Sequence, residues 1–194
     1  MKKLVLSLFL ATAAVSAHAD LINNQPQVQH PNLQFANMPL DQLTAAAQAG
    51  QAPAQFFLGN RYKHGQGVAV DQAQAFTWFK RAADQGIPAA QLNVGQMYAK
   101  GVGVRKNMAT AKDYFMKAAK LGDNRASYNL ALIEESAKNY ASAYQWYELS
   151  TRDGMLDFRV KDLSKQKIVQ LAANLDNNTM IAARERADRW IQAD

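Results

Sequence analysis

Two adjacent carboxylates, Glu134 and Glu135, are the one neighbouring acid pair in the sequence. A glycosidase needs two carboxyl groups on opposite sides of a sugar. Neighbours on one helix point about 100° apart, so the pair reads more simply as a solvated helix end. Nucleophilic catalysis needs Ser or Cys beside a base. Cysteine is absent, and Ser127, Ser136, Ser142, Ser150 and Ser164 all lack the G-x-S-x-G context. Beyond the first nineteen residues the histidines are His30 and His64, with no H-x-x-x-H and no D-x-D-x-D-G spacing. His64 reads as a polar residue near a helix C-terminus. No catalytic residue, metal or cofactor is expected.

Gly65 and Gly67, in LGNRYKHGQGV, are the remaining candidates for chemistry. A phosphate-cradling loop follows a strand and opens directly onto a helix, usually with Lys and Ser/Thr. No strand precedes this one, and the stretch recurs as VGQMYAKGVGV, with Gly95, Tyr98, Gly101, Gly103 and Val104 each 36 residues on. The same offset links Ala75 to Ala111, Trp78 to Tyr114, Phe79 to Phe115, Ala82 and Ala83 to Ala118 and Ala119, and Gly86 to Gly122. A fixed period of this size marks a solenoid of stacked units.

A third copy is altered. Ala126 and Leu130 keep the offset of 36, but Ala143, Trp146, Tyr147 and Gly154 follow their counterparts by 32. Four residues are missing where the glycine pair would stand. Upstream, Leu43, Ala46, Ala47 and Gly50 repeat Phe79, Ala82, Ala83 and Gly86 and reveal half a unit.

Each unit must position its side chains on two helices. The first carries Ala54, Leu58, Gly59 and Tyr62 on one face, and its small Gly59 lets the second approach closely. The second carries Ala75, Phe79, Ala82 and Ala83. Asp71, Asn107 and Asn139 stand where an N-cap accepts from orphan backbone N–H groups. Gly50, Gly86, Gly122 and Gly154 stand where a left-handed residue ends a helix. Gly65 and Gly67 are therefore punctuation between the two helices.

These residues resemble Sel1-like repeats. Ala54 to Gly86 carries AQFFLGNRYKHGQGV and DQAQAFTWFKRAADQG; Ala90 to Gly122 carries AQLNVGQMYAKGVGV and NMATAKDYFMKAAKLG. Ala126 to Gly154 departs, with Ala131 for the glycine and no G-x-G-V. The resemblance implies an all-α, right-handed α-solenoid of tetratricopeptide-like plan with a concave groove. It also implies a non-catalytic adaptor that holds other proteins, an immunity protein against an incoming effector among them.

The expected organisation is a signal peptide at 1–19, a flexible leader at 20–38, a solenoid at 39–157 and a C-terminal helical cap at 158–194. Within the solenoid, the repeats are 54–89, 90–125 and a degenerate 126–157. MKKLVLSLFLATAAVSAHAD has the basic start, apolar run and small-x-small site of a secretory signal, which predicts a periplasmic protein. Residues 20–38 are rich in Gln, Asn and Pro without apolar period. Near the C-terminus, Met180, Ala183, Ala187 and Trp190 share one helical face. It serves either as a cap over the last unit or as an exposed docking helix around Trp190.

The formal net charge of +6 loses two with Lys2 and Lys3, and the remaining cations are scattered among acids. That argues against a nucleic-acid stripe. By analogy with the tetratricopeptide plan, the groove takes first-helix positions at i, i+4 and i+7. These are Phe56, Asn60 and Lys63; then Leu92 and Gln96, with Ala99; then Tyr128, Leu132 and Glu135. The row Phe56–Leu92–Tyr128 is apolar or aromatic in every unit. The spacing allows it to line a partner groove or to pack inward between units. The expected function is a periplasmic scaffold for a protein partner of unspecified identity. The alternative is a peptidoglycan or polysaccharide binder that stacks sugars on Phe56 and Tyr128.

Overall fold

The computed structural model describes residues 33–152 and 157–192. The expected signal peptide, most of the leader and Gly154 lie outside the described residues. The chain divides into two units after Asn37. The first holds one described element, the single-turn helix α1 (Leu33–Ala36), within the span read as leader. The second begins at Met38 and holds the other described helices.

Helices α2 (Leu40–Gln48), α3 (Ala52–His64), α4 (Gln72–Asp84), α5 (Pro88–Lys100) and α6 (Met108–Lys120) are followed by α7 (Asn124–Ser136), α8 (Tyr140–Ser150), α9 (Phe158–Ala172) and α10 (Asn177–Gln192). The described residues contain no strand. α3 with α4, α5 with α6 and α7 with α8 are the three helical pairs, and α4 meets α5 as α6 meets α7. This is the all-α solenoid that the period of 36 requires.

Local chemistry sets the boundaries. The Asp71 carboxylate accepts from Ala73 N and Gln74 N at the start of α4, and Asn107 accepts from Thr110 N at the start of α6. Pro53 and Pro88 stand in the first turns of α3 and α5, where no donor is lost. Gly65 and Gly101 end those helices at φ 71° and 73°. The loop is then closed by Asp71 N donating to Tyr62 O, and Asn107 N to Tyr98 O.

The third unit differs from its expected local structure. Its loop is cut to residues 137–139, against 65–71 and 101–107 in the other units. Lys138, not a glycine, takes the left-handed conformation at φ 62°. Asn139 does not cap α8 with its side chain; its amide instead donates to Glu134 Oε2 at 3.0 Å. With the loop this short, the amide lies within reach of α7.

Phe79, Phe115 and Tyr147 fill equivalent positions at 0%, 1% and 0% exposure. Each such burial contributes on the order of 2 kcal/mol. A Cβ on Gly59 would stand 2.8 Å from Phe79 Cδ1, and one on Gly95 2.7 Å from Phe115 Cδ1. The bare glycines are therefore what allows the ring to press against the first helix.

α9 and α10 both pack on α8. Leu171, Ala183 and Ala187 are buried in the cluster that holds Phe115, Leu130 and Tyr147. Trp190 meets Trp146 edge-on, centroids 4.9 Å apart, so its ring is docked within the chain. Ser150 donates to Ser164 at 2.5 Å in a fully buried pair. Asn124, at the start of α7, donates to both Ser150 O and Asp157 O and accepts from Asp157 N. It fastens the start of α9 to the third unit.

Candidate functional site

Two adjacent first helices, α3 and α5, enclose an open depression of about 250 Å³. Lys63 and His64 approach it from the end of α3, and Asn93, Gln96 and Lys100 from α5. Gln72, at the start of α4, forms another wall, and Met97 and Val102 supply apolar surface. Asn93 Nδ2 donates to Ala89 O one turn back, which turns its Oδ1 toward Lys63 Nζ at 2.8 Å. Gln72 Nε2 donates to Lys63 O and fixes that wall to the end of α3.

The electrostatics are one-sided. Burial lowers the Lys63 pKa below its ordinary value, and repulsion from Lys100 lowers it further. Among the described residues, no carboxylate pairs with Lys63, His64 or Lys100, and none lines the depression.

The expected groove residues do not share one environment. Lys63 and Gln96 line the depression; Asn60 is half-buried, and its amide donates to Phe56 O of its own helix. Leu92 is 3% exposed and belongs to the core with Phe115 and Leu130. Phe56 is half-buried, 5.8 Å from the Phe79 ring and edge-on to Phe57. Tyr128 is half-buried and edge-on to Tyr147. The Phe56–Leu92–Tyr128 row therefore follows the seam with the second helices and forms no open aromatic stripe. Leu132 stays exposed on α7.

Glu135 occupies the position of Lys63 two units later, and α9 reaches it through Lys167. Its carboxylate accepts from Lys167 Nζ at 2.8 Å and from Tyr147 OH at 2.5 Å. Burial opposes the charge on Glu135, but these two bonds outweigh it and lower the pKa. Burial and the same carboxylate push the Tyr147 phenol up. Glu134 points elsewhere, to Lys112 Nζ at 2.5 Å and to Asn139. The Lys112 bond, helped by Asn139, lowers its pKa despite burial. A general acid needs the opposite shift. The two carboxylates are ties between helices, one to α6 and one to α9.

Asn93, Lys100, Gln72 and Lys167 were not singled out by the sequence pattern. Asn93 recurs as Asn129 at the repeat offset, a signal that was present. Lys167 lies 32 residues from Glu135 in a region with no repeat, and no local pattern pairs them. Among the described residues no group of three or more His, Cys, Asp or Glu is placed to hold a metal ion. No helix there is long and apolar enough to cross a membrane.

The Sel1 repeat model matches residues 52–87, 88–123 and 125–155. The Sel1 repeat protein from Oxalobacter formigenes shares 26% identity at a TM-score of 0.57, over 78% of this chain and 75% of that one. c5321, a protective antigen present in uropathogenic Escherichia coli strains that displays an SLR fold, shares 23% identity at a TM-score of 0.56. That match covers 79% of this chain and 40% of that one. The immunity protein Pa5087 from Pseudomonas aeruginosa aligns over 77% of this chain and 83% of that one, at 18% identity and a TM-score of 0.36, too low to carry an argument. No protein of curated function matches the sequence significantly. Three consecutive matches across more than half of the chain, folded as the stacked helical pairs described above, place it in the Sel1 repeat family.

Proposed function

We propose that this chain is a periplasmic scaffold that binds a protein partner on the first-helix face between α3 and α5. Sel1 repeats mediate protein interactions and are typically non-catalytic scaffolds. The observation that carries the reading is the difference between equivalent positions. Lys63 lines an open depression with no carboxylate partner among the described residues, whereas Glu135, at the same position in the third unit, is paired with Lys167. The periplasmic address rests on the secretory pattern of MKKLVLSLFLATAAVSAHAD. An adaptor and an inhibitor of an incoming effector use the same face and differ in the partner retained.

The test is affinity capture from native periplasm with the chain as bait, beside a Gln96→Ala/Asn93→Ala variant whose fold is checked by circular dichroism. One dominant protein retained by the wild type and lost by the variant supports the scaffold. Retention by both at equal strength moves the binding face elsewhere. Retention of peptidoglycan instead of protein replaces the reading with a cell-wall binder.

A further inference from the structure

We infer that the depression between α3 and α5 receives a carboxylate from an acidic segment of the partner, held by Lys63 and Lys100 and oriented by Gln96 and Asn93. This deepens the scaffold reading and rests on it.

The charge at the depression has no acidic counterpart among its lining residues. Lys63 is half-buried and Lys100 stands near enough to disfavour its charged form. His64 adds a third basic group at the rim. Elsewhere in the described structure, several half-buried cations have acidic partners, among them Arg125 with Asp123, Lys112 with Glu134 and Lys167 with Glu135. At the depression the like charges meet one another, and a carboxylate between them relieves the repulsion.

One unit later, Lys63 becomes Ala99, Gln96 becomes Leu132 and Lys100 becomes Ser136. Residues that build the solenoid recur at this offset; the two lysines and Gln96 do not. The repeat folds without this charge, so packing does not account for it.

An ammonium group has three donors, and Asn93 Oδ1 takes one from Lys63. The others, the Lys100 ammonium and the Gln96 amide remain for a ligand. No arginine lines the depression, so an anion there is held by ammonium point charges and amide donors and not by a guanidinium fork. Met97 and Val102 give the methylenes of a glutamate or aspartate an apolar wall.

The test is a titration of the full chain, followed by NMR, with the acetylated peptide amide AEEAEEA and its neutral counterpart AQQAQQA. The expected result is saturable shifts of the Lys63, Asn93, Gln96 and Lys100 resonances with the acidic peptide only, weakening as salt rises. Lys63→Gln/Lys100→Gln, with an otherwise unchanged amide spectrum, weakens the affinity about tenfold or more; Lys63→Arg/Lys100→Arg retains it. Absence of saturable shifts at these residues overturns the inference. So does an unchanged affinity in the glutamine variant, or tighter binding of inorganic phosphate at the same residues, which points to an anionic glycan. The titration reads the depression alone, and affinity capture reads the scaffold alone. A partner retained equally by the glutamine variant removes the carboxylate site and leaves the scaffold standing.

Discussion

The junction of the first two units and the body of the third start from the same repeat and end differently. At the first junction, glycine loops are kept, the first helices carry bare Gly59 and Gly95, and the face beyond them is open. In the third unit the loop has shrunk to residues 137–139, Ala131 replaces the glycine, and Glu135 is tied down by Lys167 and Tyr147. The contrast teaches that the same first-helix position stays without an ionic partner until a neighbouring helix supplies one. Here α9 supplies it in the third unit, the unit whose sequence departs from the repeat.

The largest test of this contrast is in the loop that the third unit lacks. A Cβ on Gly103 would lie 2.1 Å from the Gln72 carbonyl oxygen of the preceding unit, at a φ of 70°. Gly103→Ala is expected to cost about 3 kcal/mol or more. Gly67, in the same motif position, has its nearest neighbour at 3.9 Å, so Gly67→Ala should cost about 1 kcal/mol, the conformational strain alone. Urea midpoints measure both. Equal losses would mean that the second loop is not a contact between units.

Next in size is the helix glycine. Gly95→Ala drives a Cβ against Phe115 and should cost about 1–3 kcal/mol. Ala131→Gly adds no clash and should cost only about 1 kcal/mol of helix propensity. A neutral Gly95→Ala would show that the third unit's alanine is no adaptation.

Acid should loosen the third unit selectively. Glu134 is 8% exposed, and its bond to Lys112 holds its pKa below the ordinary 4.5. A depressed folded-state pKa gives stability that is present above 4.5 and lost as pH falls through the folded value. Glu134→Gln is therefore expected to lose about 1–2 kcal/mol at neutral pH, with the gap to wild type closing in acid. A gap independent of pH would remove the ionic tie. The smallest effect is a gain: Lys138→Gly relieves a left-handed side-chain residue and should raise stability by about 0.5 kcal/mol.

The features legible in the sequence are those that repeat or act locally. Gly59 and Gly95 announce close approach because they recur with Phe79 and Phe115 at one offset. Asp71 and Asn107 announce caps because capping needs only residues two or three positions away. The fate of Phe56, Leu92 and Tyr128 was not legible, since a spacing of i and i+4 fixes which residues share a face but not what covers it. Asn139 failed as a cap because a deletion brought Glu134 within reach of its amide. Glu135 was expected in the groove. The structure pairs it with Lys167, a non-local partner in a region without repeats.

One tie between units bears on how such an array changes length. Gln55 Nε2 donates to Ala47 O, and Gln91 Nε2 to Ala83 O, each reaching eight residues back to the end of the preceding second helix. Donor and acceptor belong to successive copies in the same register. A duplicated block of 36 residues entering between Gly86 and Ile87 would bring both halves of the bond, one facing each neighbour. The far end has no such freedom: its last helix is committed to Ser164 and Arg184 through Ser150 and Tyr144. The array can lengthen by copying from within, behind a terminus that stays the same.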